Sequence, residues 1–246
     1  MPASPFRKLV PFSDAAKERG IKVFHLNIGQ PDIETTHYAI DAVRKFDERV
    51  IEYSPSQGYL SYRKKLREYY KRIGIDVSTD EIIVTTGGSE ALLFAFQSIM
   101  DPEDEVIIPE PFYANYNGFA KNAGINVKPI YSSIETGFAL PDISEFEKAI
   151  TPRTTAILIC NPNNPPGYFD LKEEMETVRQ IVLKYDIFLI ADEVYREFCY
   201  GGIKHCSAMD LEGVENNVIL VDSTSKRFSA CGIRVGCLIT KNKEVL

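Results

Sequence analysis

Six short apolar runs between residues 80 and 222 constrain the fold of this chain more than any other feature. They are Ile82-Ile83-Val84, Val106-Ile107-Ile108, Val127 to Tyr131, Ala156 to Cys160, Ile187 to Ala191 and Val218 to Asp222. Each has the length and β-branched content of a buried strand. Between them lie stretches such as Ser89 to Met100 and Leu171 to Tyr185, whose apolar residues recur at three- and four-residue spacing, the period of an amphipathic helix. Strands apolar throughout must be covered on both faces, and alternating helices supply that cover. The pattern therefore predicts an α/β protein, a three-layer α/β/α fold with a mainly parallel central sheet. Residues 1–35 are rich in proline, contain no strand–helix unit and read as an arm outside the sheet; residues 36–246 read as the large domain.

Composition removes several function classes. A formal net charge of -7, with no Lys/Arg run long enough to track a phosphate backbone, argues against nucleic acid. The densest basic stretch, Arg63-Lys64-Lys65-Leu66-Arg67, reads as a solvated helix face. His25, His37 and His205 are too scattered for a metal site, and no HExxH or Cys/His pair has ligand spacing. The five cysteines lack CxxC spacing and sit in apolar runs, which suits a reducing compartment. The N-terminus has no apolar segment like that of a secretion signal, and no run approaches the ~20 residues of a membrane span. The expectation is a cytoplasmic protein with no membrane partner.

In open α/β sheets ligands bind at the carboxyl ends of strands, so the polar residues that follow each run carry the chemical signal. Thr85-Thr86-Gly87-Gly88-Ser89-Glu90 combines a small-residue turn with the start of a helix, where free N–H groups meet an anion. By itself such a turn is ordinary loop chemistry. Arg234 and the hydroxyls of Ser223 or Ser225 strengthen it, because a guanidinium and hydroxyls match a phosphate dianion. Lys226 follows a strand and two serines, where a partly desolvated amine can attack an aldehyde; most lysines are simply surface residues, so it needs its neighbours. Asp192 closes another strand and could hold a pyridine nitrogen protonated, or merely cap a turn. Tyr195 and Asn164 could each reach a ring oxygen, and Tyr113 could stack on a planar ring, though each also reads as a packed or turn residue.

Taken together, Asn27-Ile28-Gly29-Gln30-Pro31-Asp32, Tyr53-Ser54-Pro55-Ser56-Gln57-Gly58, Gly87-Gly88-Ser89, Asn161 to Gly167, Asp192 to Tyr195 and Ser223-Thr224-Ser225-Lys226 with Arg234 eight positions on form an ordered series. In that order and spacing they resemble the class I/II (fold type I) aminotransferases dependent on pyridoxal 5′-phosphate (PLP), particularly those like aspartate aminotransferase. The resemblance runs from about Asn27 to the last residue. It implies PLP as cofactor, with Lys226 as its Schiff-base lysine and later proton carrier. Asp192 would face the pyridinium nitrogen. Tyr195 and Asn164 would bond the 3-oxygen, and Tyr113 would stack on the ring. Gly88, Ser89, Ser223 or Ser225, and Arg234 would hold the phosphate. Tyr53 would reach the phosphate of a neighbouring subunit, so a homodimer with shared active sites is implied. Gly29 and Asn164 would lie near the substrate. Those substrates would be an amino acid, aspartate-like or similar, and a 2-oxo acid, exchanged by a ping-pong mechanism.

Two departures accompany the resemblance. The family's Asn-Pro-Thr-Gly reads Asn164-Pro165-Pro166-Gly167 here, and the family continues past the position of Leu246 through a small domain that carries the arginine for the substrate carboxylate. The expectation is a C-terminally truncated small domain, with PLP-site geometry but without efficient turnover. Other readings on the same scaffold are a PLP-dependent lyase or acyl transferase, and a PLP-binding chain without catalysis. A dinucleotide-binding fold lacks its GxGxxG after a strand.

Overall fold

The computed structural model describes residues 7–26 and 29–246. In chain order the helices are α1 (Val10–Glu18), α2 (His37–Arg44), α3 (Leu60–Arg72), α4 (Gly88–Ile99), α5 (Asn115–Ala123), α6 (Ile143–Ala149), α7 (Lys172–Tyr185) and α8 (Thr224–Arg227). The strands are β1 (Ile82–Thr85), β2 (Glu105–Glu110), β3 (Asn126–Tyr131), β4 (Thr154–Cys160), β5 (Phe188–Asp192), β6 (Val218–Ser223) and β7 (Gly236–Thr240). Every apolar run named above is one of these strands. The seventh, β7, arises from Gly236-Cys237-Leu238-Ile239-Thr240, a run beyond Arg234 that the sequence analysis does not assign to a strand.

The sheet order is β1-β7-β6-β5-β4-β2-β3, with β2, β3, β4, β5 and β6 parallel to one another and β7 antiparallel to both β1 and β6. Because side chains alternate along a strand, β6 sends Ile219 and Val221 to one face and Val218 and Leu220 to the other. The first face packs against α4 and α5 through Ala91, Leu92, Phe96, Tyr116 and Ala120. On the second face α6 and α7 contribute Phe146, Met175, Val178 and Ile181, while α3 contributes Tyr70. Helices thus cover both sides, the expected three-layer α/β/α arrangement.

Packing begins at Gly58. Among the described residues before it none is buried, and α1 and α2 bury no side chain. The basic stretch in α3 departs from a wholly solvated face: Arg63 is buried, donating to Gly58 O at 3.3 Å, Thr79 O at 2.8 Å and Gln57 Oε1 at 3.0 Å. A guanidinium can enter the protein this way because its several donors are matched by fixed acceptors. Among the described residues no helix is long and apolar enough to cross a membrane, and no cluster of His, Cys, Asp and Glu could hold a metal ion.

Candidate active site

The carboxyl ends of β5 and β6 lie side by side, with Asp192 opposite Val221 in register. Asp192 shares a face with Ile190, the face covered by α4 and α5. Its Oδ2 accepts from Tyr116 Oη at 2.7 Å and its Oδ1 from Val194 N at 3.3 Å. Tyr116, on α5, is fully buried. Asp192 has no cation in ion-pair contact among the described residues. Burial pushes its carboxyl up to about 6, and the nearby Asp222 and Glu193 charges add to that rise; the Tyr116 hydroxyl and Val194 N–H only partly oppose it. A carboxylate so placed lacks one thing, a positive group on its open side.

Lys226 sits on the single turn of α8, immediately beyond β6. Its Nζ donates to Gly29 O at 2.5 Å and lies 5.8 Å from the centre of the Tyr195 ring. Tyr195 packs against the α4–α5 side of the core, so Lys226 and Asp192 address the same face. The Tyr195 hydroxyl accepts from Asn164 Nδ2 at 3.2 Å, and burial pushes its phenol well above the ordinary range. Tyr113 meets Tyr116 edge-on, with ring centres 5.4 Å apart, and accepts from Asn115 Nδ2 at 2.6 Å. Lys226 and Asn164 thus meet at Tyr195, and Asp192 and Tyr113 at Tyr116, with both tyrosines packed against the α4–α5 core.

Beside these residues lies the turn that starts α4. Gly87 precedes α4 with φ 77°, a backbone region favouring glycine, and a Cβ there would run into the Arg234 guanidinium. Arg234 itself donates to Cys231 O at 3.0 Å and has no carboxylate in ion-pair contact among the described residues. The approach is made possible by Gly236, where a Cβ would come within 2.5 Å of Gly87 C and 2.8 Å of Gly88 N. So β7 presses its first residue against the turn that starts α4, and Arg234 lies against Gly87, the residue before that helix. Ser223 and Ser225 are both buried here. Ser223 Oγ accepts from Ser225 N at 3.1 Å, capping α8, and lies 2.7 Å from Ser225 Oγ.

Among the sequence-derived candidates, Tyr53 stays apart: it is fully exposed. Asn27 and Ile28, which open the first motif, lie outside the described residues. Sequence reasoning missed Tyr116, whose position three residues after Tyr113 on a helix is the signal that could have found it. The motif from Asn161 to Gly167 came without a role for its first residue: the Asn161 amide bridges to Asp170 N at 3.1 Å and to Asp170 O and Cys206 O at 3.4 Å, securing the loop that carries Asn164.

The family model described as "Aminotransferase class I and II" matches residues 21–246. The aspartate aminotransferase of Bacillus subtilis is 36% identical over 224 residues, covering 89% of this chain and 56% of that protein. The aspartate/prephenate aminotransferase of Thermus thermophilus is 33% identical over 222 residues, covering 89% of this chain and 57% of that one. Among solved structures, the aspartate aminotransferase from Thermotoga maritima superposes with a TM-score of 0.92 at 30% identity, covering 99% of this chain and 65% of that one. The chain thus spans somewhat more than half the length of the curated relatives it matches. A match this extended makes the chain a member of the class I and II aminotransferases.

Proposed function

We propose that the protein is a PLP-dependent aminotransferase that moves an amino group between an amino acid, aspartate-like or similar, and a 2-oxo acid in two half-reactions, and that it works in the cytoplasm as a homodimer. Family members use PLP. The observation that carries the reading is the pairing of Asp192, a buried carboxylate with no cation of its own, with Lys226 on the same face of the sheet. The donor set fits the cofactor. A pyridinium N–H would supply the positive group Asp192 lacks, and a phosphate would occupy the cradle of Gly88, Ser89, Ser223 or Ser225, and Arg234.

When bound, PLP supplies the electron sink, and the protein supplies orientation, charge and proton transfer. Lys226 would hold the cofactor through its aldehyde and, once freed, would carry a proton at the substrate Cα. Asp192 would face the ring nitrogen and favour its protonated form. Tyr195 and Asn164, already in contact with each other, would donate to the 3-oxygen, with Tyr113 against the ring. Gly29, whose carbonyl accepts from Lys226, would lie near the substrate. Support for the homodimer, in which Tyr53 would complete the neighbour's phosphate site, comes from the exposed apolar side chains Phe12, Phe24, Leu26, Ile51 and Tyr53, all before the packed region.

The test is the absorbance of purified protein mixed with PLP, before and after borohydride. The expected result is a reducible chromophore that maps to Lys226. A Lys226→Ala protein that kept the same reducible chromophore would overturn the assignment of the anchor.

A further inference from the structure

The residue after Lys226 leaves the crevice altogether. Arg227 donates through Nη2 to both carboxylate oxygens of Asp222, and both side chains are nearly out of solvent, at 7% and 3% exposure. Asp222 belongs to the opposite face of the sheet from Asp192: it follows Leu220 in alternation and meets α3, where Tyr70 Oη donates to its Oδ2. Its Oδ1 also accepts from Ser223 N at 2.7 Å. The Arg227 guanidinium lies 4.5 Å from the centre of the Tyr69 ring, also on α3. The helix α8 therefore straddles the carboxyl end of β6, inside the sheet, with Lys226 on the crevice side and Arg227 pinned on the far side.

A helix of four residues has no cooperative stability of its own, so tertiary contacts must hold it. On the crevice side these are the Ser223 cap and the Lys226 to Gly29 bond, and the latter must break whenever Lys226 does chemistry. The Ser223 cap, the bonds from Thr224 N and Oγ1 to Val235 O at 3.1 and 3.0 Å, and the far-side pair all persist whatever Lys226 does; of these, the far-side pair is made by the residue next to Lys226 and ties the C-terminal end of the turn. We propose that Arg227 is a positioning residue, its pair with Asp222 fixing the turn from which Lys226 reaches the aldehyde of PLP. The proposal rests on the function assigned above.

The test measures the rate at which PLP becomes attached to Lys226, by borohydride trapping and peptide mapping at successive times, so no turnover is needed. In Arg227→Met the rate falls about tenfold, the usual scale for a reacting group held slightly out of place. A matched control is Ile181→Ala, in the α7 core remote from the crevice; it lowers Tm but leaves the attachment rate at the wild-type value. Arg227→Lys, which keeps the charge but not the two-oxygen contact, falls between wild type and Arg227→Met. A wild-type rate in Arg227→Met, or an equal slowing in Ile181→Ala, would overturn the inference. Should Arg227→Met not fold, Arg227→Lys against Ile181→Ala decides in the same way. Absence of trapping at Lys226 in the wild-type protein would instead bring down the functional reading, and the inference with it.

Discussion

Asp192 ends β5, and Asp222 stands one residue before the end of β6 beside it, one register position away; the two meet opposite fates. On the α3 face, Asp222 has a guanidinium, a phenol and a backbone N–H of its own. On the α4–α5 face, Asp192 has a phenol and a long backbone contact, and no cation in ion-pair contact among the described residues. Both are buried, at 2% and 6% exposure, so solvent does not account for the difference. A buried charge supplied with a partner by its own chain is part of the scaffold. One left without a partner costs stability until a ligand provides it, which marks the ligand's place.

The comparison breaks most readily at Asp222. Replacing it with alanine leaves Arg227 buried and unpaired, and stability should fall by about 3–5 kcal/mol, measured by urea unfolding. A loss below about 1 kcal/mol would mean that the far-side pair does not anchor the scaffold. At Asp192 the sign reverses. Its carboxyl rises from 3.8 to about 6 in the folded protein. Its favourable contribution is complete below about 3.8, where it is protonated in both states, and is lost as pH climbs through about 6. Near pH 8 the folded protein without PLP therefore carries a cost on the order of 3 kcal/mol. Asp192→Asn should remove much of that cost, raising Tm without PLP near pH 8, with the gain shrinking toward pH 4. With PLP present the order should invert, the wild type gaining far more from the cofactor. Melting curves across pH with and without PLP would check both halves, and a variant less stable than wild type at pH 8 without PLP would remove the distinction between the aspartates.

This contrast is only half legible in the sequence. The strands, the parallel sheet and the polar residues at the strand ends follow from apolar runs and their spacing, and Asp192 stands out because it ends one of them. Asp222 ends another in the same way, yet nothing local separates the two. What does is alternation along the strands combined with the choice of helices that cover each face, and that choice is long-range: Tyr116 reaches Asp192 across 76 positions, and Tyr70 reaches Asp222 across 152. Arg63 shows the same limit, since its buried acceptors come from a turn before its helix and a loop after it. The strand β7 was hidden for a different reason. Its leading Gly236 serves close approach to Gly87 and Gly88, so chemistry masked periodicity.

Smaller substitutions can sharpen the picture on the Asp192 face. Tyr116→Phe removes the nearer donor to the carboxylate, which should push its pKa higher still and cost about 1–3 kcal/mol near pH 8. Near pH 4, where Asp192 is already protonated, the cost should shrink, because little charge remains for the phenol to stabilise. Tyr195→Phe is the complementary case. Its ring packs against the same α4–α5 core, but its hydroxyl bonds Asn164, at 3.2 Å, and makes no contact with Asp192. Its loss should cost no more than about 1 kcal/mol without PLP and leave the pH dependence of stability where it was. If Tyr195→Phe moved that dependence as Tyr116→Phe does, the two phenols would share the carboxylate, and the side of Asp192 left open for a cation would already be taken.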